Sequence, residues 1–145
     1  MRLCDSNVWL ALTLSGHVHH AVARDWLADV DEPHSVLFCR ATQQTLLRLL
    51  TNAAVLAAYG RPPLSNEEAW AVYAAFLDDD RIMLRADEPH RLETQWRRFA
   101  VRDTASPKLW MDAYLAAFAL DAGCTLVSTD TAFTEFDGLD LVLLT

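Results

Sequence analysis

An α/β fold, with a mostly parallel sheet lying between two layers of helix, is what this sequence predicts, and three observations predict it. Short apolar runs recur along the chain, namely Leu3-Cys4, Ser35 to Cys39, Arg81 to Arg85, Thr125 to Ser128 and Leu139 to Leu144, each too brief for a helix. Longer segments with apolar residues at helical spacing separate most of them, the alternation that builds a parallel sheet covered on both faces. Gly and Pro stand between the segments, as at Gly60, Pro62-Pro63 and Gly123, where they stop helices. The expected architecture is a three-layer α/β/α domain spanning residues 1–145.

The first strand ends at Asp5, after which Val8, Trp9 and Leu10 resume the apolar pattern as a helix does. Ser6 or Asn7 is expected to turn the chain and cap that helix, leaving the Asp5 carboxylate at the carboxyl end of a strand, the edge of an open α/β sheet where ligands bind. The alternative is that Asp5 is itself the cap. Ser15 to Val18 make a polar break, and His20 to Val30 reads as a helix with Ala21, Val22, Trp26, Leu27 and Val30 on its apolar side. His17, His19 and His20 precede it without a matching acid or cysteine, so they read as loop residues rather than a metal site. After the strand Ser35 to Cys39, a helix is predicted over Arg40 to Thr51 and a further helical segment over Ala53 to Tyr59. Ser65 and Glu68 have the spacing of a capping box and open a helix reaching Leu77. Asp78 to Asp80 reads as a solvated turn, because adjacent acids rarely aim at one point. A helix is predicted from Glu88 to Phe99, with His90 and Arg91 on its surface. Another opens at Pro107, capped by Ser106, and runs to Gly123.

Composition narrows the function. At 145 residues, with 52% hydrophobic residues, the chain can bury its own core without disulfides or a structural metal. The apolar stretches Ala53 to Tyr59 and Ala113 to Leu120 fall short of the roughly 18 residues of a membrane span, and the N-terminus lacks the apolar core of a secretory signal. A cytoplasmic location is therefore expected. Cys4, Cys39 and Cys124 share no close spacing and read as reduced core thiols. The net charge of -8 disfavours a generally basic nucleic-acid surface, but permits a site that gathers carboxylates around a divalent cation.

Three acids fit such a site. Asp5 and Asp130 follow two different strands, and Asp112 stands in an otherwise almost wholly apolar helical segment, between Trp110-Met111 and Ala113-Tyr114. A carboxylate in those surroundings must meet a cation, accept hydrogen bonds or shift its pKa. Carboxylates converging from separate elements suit a hard ion that takes oxygen ligands and keeps several waters, and the chemistry this implies is phosphodiester hydrolysis.

The N-terminal D-S-N-V-W-L, the helical T-Q-Q-T-L-L-R-L-L-T-N, the D-A-Y-L-A of the late helix and L-V-S-T-D-x-x-F near the end resemble a PIN-domain ribonuclease, closest to the VapC toxins of bacterial toxin-antitoxin pairs. The likeness covers essentially the whole chain, including H-x-H-H-A-V-A-R-D-W-L. It implies a PIN-like three-layer fold and a site for Mg2+ (or Mn2+) formed by Asp5, Asp112 and Asp130 as catalytic and metal-binding residues, supported by Asn7 and Ser128. It also implies endoribonuclease activity, in which a metal-activated water attacks an RNA phosphate and leaves 5′-phosphate and 3′-hydroxyl ends. A small VapB-like antitoxin and a homodimer are the implied partners, with apolar surface on the helices from Arg40 to Tyr59 and Ser65 to Leu77 as a place for either. One position departs from the pattern: Gln43 follows Thr42 where the family usually has Glu. An amide oxygen ligates a cation without adding charge, so weaker metal affinity is expected, and a PIN-fold protein that binds RNA or a partner without cutting it is the alternative. Arg40, Arg48 and Arg85, near the predicted rim, are assigned to RNA phosphates, against the alternative that they pair with some of the chain's twenty acids. A receiver-like phospho-acceptor domain also groups acids at strand ends. It is disfavoured because Arg85-Ala86-Asp87 follows the third strand and the sole lysine, Lys108, precedes a helix.

Overall fold

A computed structural model describes every residue, Met1–Thr145. Five parallel strands lie in the order β3-β2-β1-β4-β5, where β1 is Arg2–Cys4, β2 Val36–Cys39, β3 Ile82–Arg85, β4 Thr125–Ser128 and β5 Leu141–Leu143. Seven helices surround them: α1 Ser6–Thr13, α2 His20–Ala28, α3 Arg40–Leu50, α4 Ala53–Ala57, α5 Asn66–Leu77, α6 Leu92–Ala100 and α7 Leu109–Ala122. The expected three-layer α/β/α arrangement is therefore present, and no helix is long and apolar enough to cross a membrane.

Strand alternation divides the core in two. Cys4, Val36, Phe38 and Val127 face Trp9, Leu46 and Leu50 of α1 and α3. Leu3, Leu37, Cys39 and Leu126 face Ala113, Leu115 and Phe118 of α7, with α6 packed outside it. The first half is anchored by Trp9, fully buried and stacked on Phe38 with ring centroids 3.7 Å apart and planes 10° apart. Its indole nitrogen has no hydrogen-bond partner.

The capping box before α5 forms as predicted. Ser65 Oγ accepts from the Glu68 N–H at 3.1 Å and Glu68 Oε1 accepts from the Ser65 N–H at 3.0 Å. Gly123 ends α7 in the left-handed conformation, φ 67°, that a Cβ would strain. The three cysteines are free and buried. Asp78 and Asp80 are exposed, whereas Asp79 takes a forked ion pair from Arg81 at 2.9 and 2.7 Å. The early histidines tie a loop: His17 Nδ1 accepts from the His19 N–H at 3.0 Å, and His20 Nδ1 lies 2.7 Å from the Ala11 carbonyl.

Three helix starts differ from expectation. Asp5, not Ser6 or Asn7, occupies the N-cap position of α1, yet its side chain makes no cap bond. The helix expected from Glu88 begins at Leu92, because Pro89 holds a preceding turn and the Arg91 N–H donates to Asp121 Oδ2 at 2.6 Å. The helix expected from Pro107 begins at Leu109: the Leu109 N–H bonds the Ser106 carbonyl at 3.1 Å, and the Ser106 hydroxyl caps nothing.

Replacing Trp9 by Ala is expected to cost about 3–5 kcal/mol in urea denaturation, and by Phe ~1–2 kcal/mol, since Phe leaves a smaller cavity and removes an unsatisfied N–H. Equal losses for the two variants would show that the stack contributes nothing specific.

Candidate active site

Pairing of β1 with β4 brings the first two acids together. Cys4 lies opposite Val127, so Asp5 and Ser128 come next in register, and the Asp5 N–H bonds the Val127 carbonyl at 2.9 Å. Both point to the α7 side of the sheet by strand alternation. Ser128, fully buried, donates its hydroxyl to Asp5 Oδ2 at 2.9 Å and accepts the Asp130 N–H at 3.0 Å, linking the two acidic turns. Ser6 Oγ lies 3.4 Å from Asp5 Oδ1. Asp130 begins the 3₁₀ turn Thr131–Glu135, its Oδ1 accepting the Ala132 N–H at 2.9 Å.

Asp112 arrives on the first turn of α7, with a side chain 16% exposed and no hydrogen-bond donor within reach. The cation next to it is Lys108, one turn earlier, whose ammonium lies 3.9 Å from Asp112 Oδ2 and 2.6 Å from Asp130 Oδ2. Burial pushes the Asp112 carboxyl above its ordinary value, Lys108 pulls it down, and the charges of Asp5 and Asp130 push it up again. Burial likewise raises Asp5, against the hydrogen bonds of Ser128 and Ser6. Asp130 moves the other way, held low first by Lys108 and then by the Ala132 N–H. Three carboxylates from three elements thus share one edge and one field.

The remaining predicted residues divide. Gln43 is buried on the first full turn of α3 and its Oε1 accepts from Arg40 Nη1 at 2.7 Å. Asn7 stands exposed on α1 without a hydrogen bond. Arg40 and Arg48, both exposed, line a groove of about 440 Å³ between α3 and α7, with Gln44, Glu88, Met111 and Tyr114. Arg85 is not with them: its guanidinium lies over the Phe118 ring, 5.5 Å from the centroid. Sequence reasoning missed Lys108 and Ser6 as parts of the cluster. The signal for Lys108 was present, since it stands four residues before Asp112, the spacing at which helical neighbours meet.

In chemical type the donors are those that a hard divalent cation takes. It is all oxygen, it carries three carboxylates against one ammonium, and the Asp112 oxygens lack donors. The side chains are not gathered into a preformed metal-binding cluster, since no three His, Cys, Asp or Glu side chains converge closely enough to hold an ion, and Lys108 stands between Asp112 and Asp130.

Comparison with known proteins decides the family. The sequence model of the PIN domain matches residues 2–139. The chain belongs to the PIN-domain family. Within it, this PIN domain is 66% identical over 144 residues to Ribonuclease VapC41 of Mycobacterium tuberculosis, covering 99% of each chain. It is 40% identical to Ribonuclease VapC29 of the same organism, covering 98% of this chain and 95% of the relative. Among solved structures it resembles M. tuberculosis VapC20, described as a Sarcin-Ricin loop cleaving toxin, with a TM-score of 0.64, 18% identity and coverage of 92% and 93%. It also resembles VapBC2 of Rickettsia felis bound to a DNA fragment from its promoter, with a TM-score of 0.66, 11% identity and coverage of 99% and 98%. At those identities the two structures speak for the PIN fold alone, while the mycobacterial sequences place the chain with the VapC ribonucleases.

Raised carboxyls at Asp5 and Asp112 bind protons more readily folded than unfolded, so their ionisation costs stability as pH rises past the ordinary carboxyl range. Asp112→Asn, which mimics the protonated acid, should therefore raise Tm by a few degrees at pH 7 in EDTA, with the gain vanishing below about pH 4. A gain independent of pH in thermal melts would remove charge as its cause.

Proposed function

We propose that Asp5, Asp112 and Asp130 hold a divalent cation, Mg2+ or Mn2+, with which this VapC-family toxin hydrolyses RNA as an endoribonuclease. The observation that carries the assignment is the placing of three carboxylates along one edge, after β1, on the first turn of α7 and after β4, with Ser128 linking Asp5 to Asp130, Lys108 between Asp130 and Asp112, and Asp112 part-buried without a hydrogen-bond donor. The bound ion would polarise the phosphoryl oxygen and lower the pKa of a water. Ser128 and Ser6 orient Asp5, while the Ala132 N–H fixes one oxygen of Asp130. The water oxygen adds to phosphorus, the bond to the 3′-oxygen breaks, and that oxygen leaves as a hydroxyl with a proton from the water. The 2′-hydroxyl takes no part.

Arg40 and Arg48 line the groove beside Met111, the neighbour of Asp112, and contact phosphates on either side of the cut. Arg85 is better assigned to packing over Phe118. Gln43 takes the place of an acid, and its oxygen, held by Arg40, serves the site by fixing that guanidinium. The same contact favours the second reading, an RNA- or partner-binding PIN protein with weakened catalysis, because it withholds the amide from a cation. A small VapB-like antitoxin is the partner this reading assigns, in keeping with two structures of similar fold, VapBC2 of Rickettsia felis and VapBC-1 of nontypeable Haemophilus influenzae. A homodimer and a cytoplasmic location belong to the same reading, with residues 1–145 acting as one PIN domain.

Cleavage of a structured RNA panel is expected with Mg2+ or Mn2+ and not with EDTA, and Asp5→Asn or Asp112→Asn should lower the rate about a hundred- to a thousandfold. Metal binding without cutting of any RNA would favour the second reading. Arg40→Ala and Arg48→Ala should each weaken single-stranded RNA binding and reduce the slope of log K against log salt by about 0.7. An unchanged slope in fluorescence anisotropy would take the groove out of the RNA path.

A further inference from the structure

Lys108 is the sole lysine of the chain, and its side chain is 71% exposed, yet its ammonium is turned onto the acidic edge. An exposed lysine gives up side-chain entropy to hold one position, so something must draw it there. The oxygens on which it rests identify the cause. Asp130 Oδ1 is committed to the Ala132 N–H and Asp5 Oδ2 to Ser128, so Asp130 Oδ2 is the oxygen of that acid left for a cation. Lys108 Nζ covers it at 2.6 Å, and leans to Asp112 Oδ2 at 3.9 Å. Local structure sets this up: the turn from Ser106 delays the helix, places Lys108 at its N-cap position with φ -66° and ψ -30°, and puts Asp112 one turn on.

We propose that Lys108 is a tethered counter-cation, which neutralises Asp130 and Asp112 in the metal-free protein and must leave Asp130 Oδ2 before a divalent ion enters. This rests on the assignment of Asp5, Asp112 and Asp130 as the metal site. The ammonium supplies one positive charge where the ion supplies two, so the exchange is favourable only above a threshold of metal concentration. Lys108 thereby weakens metal affinity while protecting the empty site from repulsion among its own carboxylates.

The test is calorimetric titration of Mn2+ into metal-free full-length protein, paired with thermal melts in EDTA and in Mn2+. Lys108→Met is expected to bind Mn2+ roughly fivefold or more tightly than wild type, and Lys108→Arg to stay within about twofold of it. Lys108→Met should also melt lower than wild type in EDTA and gain more from Mn2+. Lys108→Gln serves as a second neutral variant should the Met form fold poorly. Unchanged or weaker Mn2+ binding by both neutral variants, with binding still abolished in Asp5→Asn, overturns the role of Lys108 and leaves the metal site standing. Wild-type binding by Asp5→Asn and Asp112→Asn overturns the metal site, and the role of Lys108 with it.

Discussion

Repulsion among carboxylates is the constraint on which the rest of this structure depends. Parallel pairing of β1 with β4 carries Asp5 and Ser128 to the same level of one sheet edge, and α7 returns over that edge with Asp112 on its first turn. Left alone, three acids in partly buried surroundings would neutralise themselves by shifting their pKa values. The fold instead distributes the load. Ser128 stabilises the Asp5 charge, Lys108 and a backbone N–H hold Asp130 low, and Asp112 is left raised and without a donor. The result is an acidic edge whose negative charge is only partly offset, seated on the two halves of the core beneath it.

That core explains why the edge can be so acidic. The Trp9–Phe38 stack and the aliphatic contacts of α1 and α3 fill one face of the sheet, and α7 fills the other with small residues, Ala113, Ala116, Ala117 and Ala119, that let the helix lie close. Close packing of α7 is what brings Asp112 into the field of Asp5 and Asp130. Stability is supplied by apolar burial and spent in part at the site, the usual arrangement for a functional edge.

The charge of the whole chain and the arginines of the groove between α3 and α7 point in opposite directions. A net charge of -8 repels nucleic acid at a distance, but such repulsion is screened beyond about 8 Å at physiological ionic strength. On the proposed reading attraction has to be local, and Arg40 and Arg48, along one side of α3, are the groups proposed to supply it. Arg85 had the same standing in the sequence, at the end of a strand. Only packing distinguishes it, because the face of β3 on which it falls turns it to Phe118.

By itself the sequence determined the alternation of strands and helices, the capping box at Ser65, the stop at Gly123 and the candidacy of Asp5, Asp112 and Asp130. These follow from short-range properties, namely apolar periodicity, the conformational range of Gly and Pro, and the oddity of an acid among apolar neighbours. Where a helix starts beside proline was less legible, since both Glu88–Arg91 and Ser106–Lys108 form turns stabilised by contacts distant in sequence or by the preceding backbone. Tertiary structure alone decided what each carboxylate oxygen touches, that Lys108 rather than a fourth acid completes the edge, and that Gln43 turns its oxygen to Arg40. Those outcomes depend on strand order and on the angle at which α7 crosses the sheet, which pattern along a chain does not encode, because electrostatic partners are chosen by distance in space and not by distance in sequence.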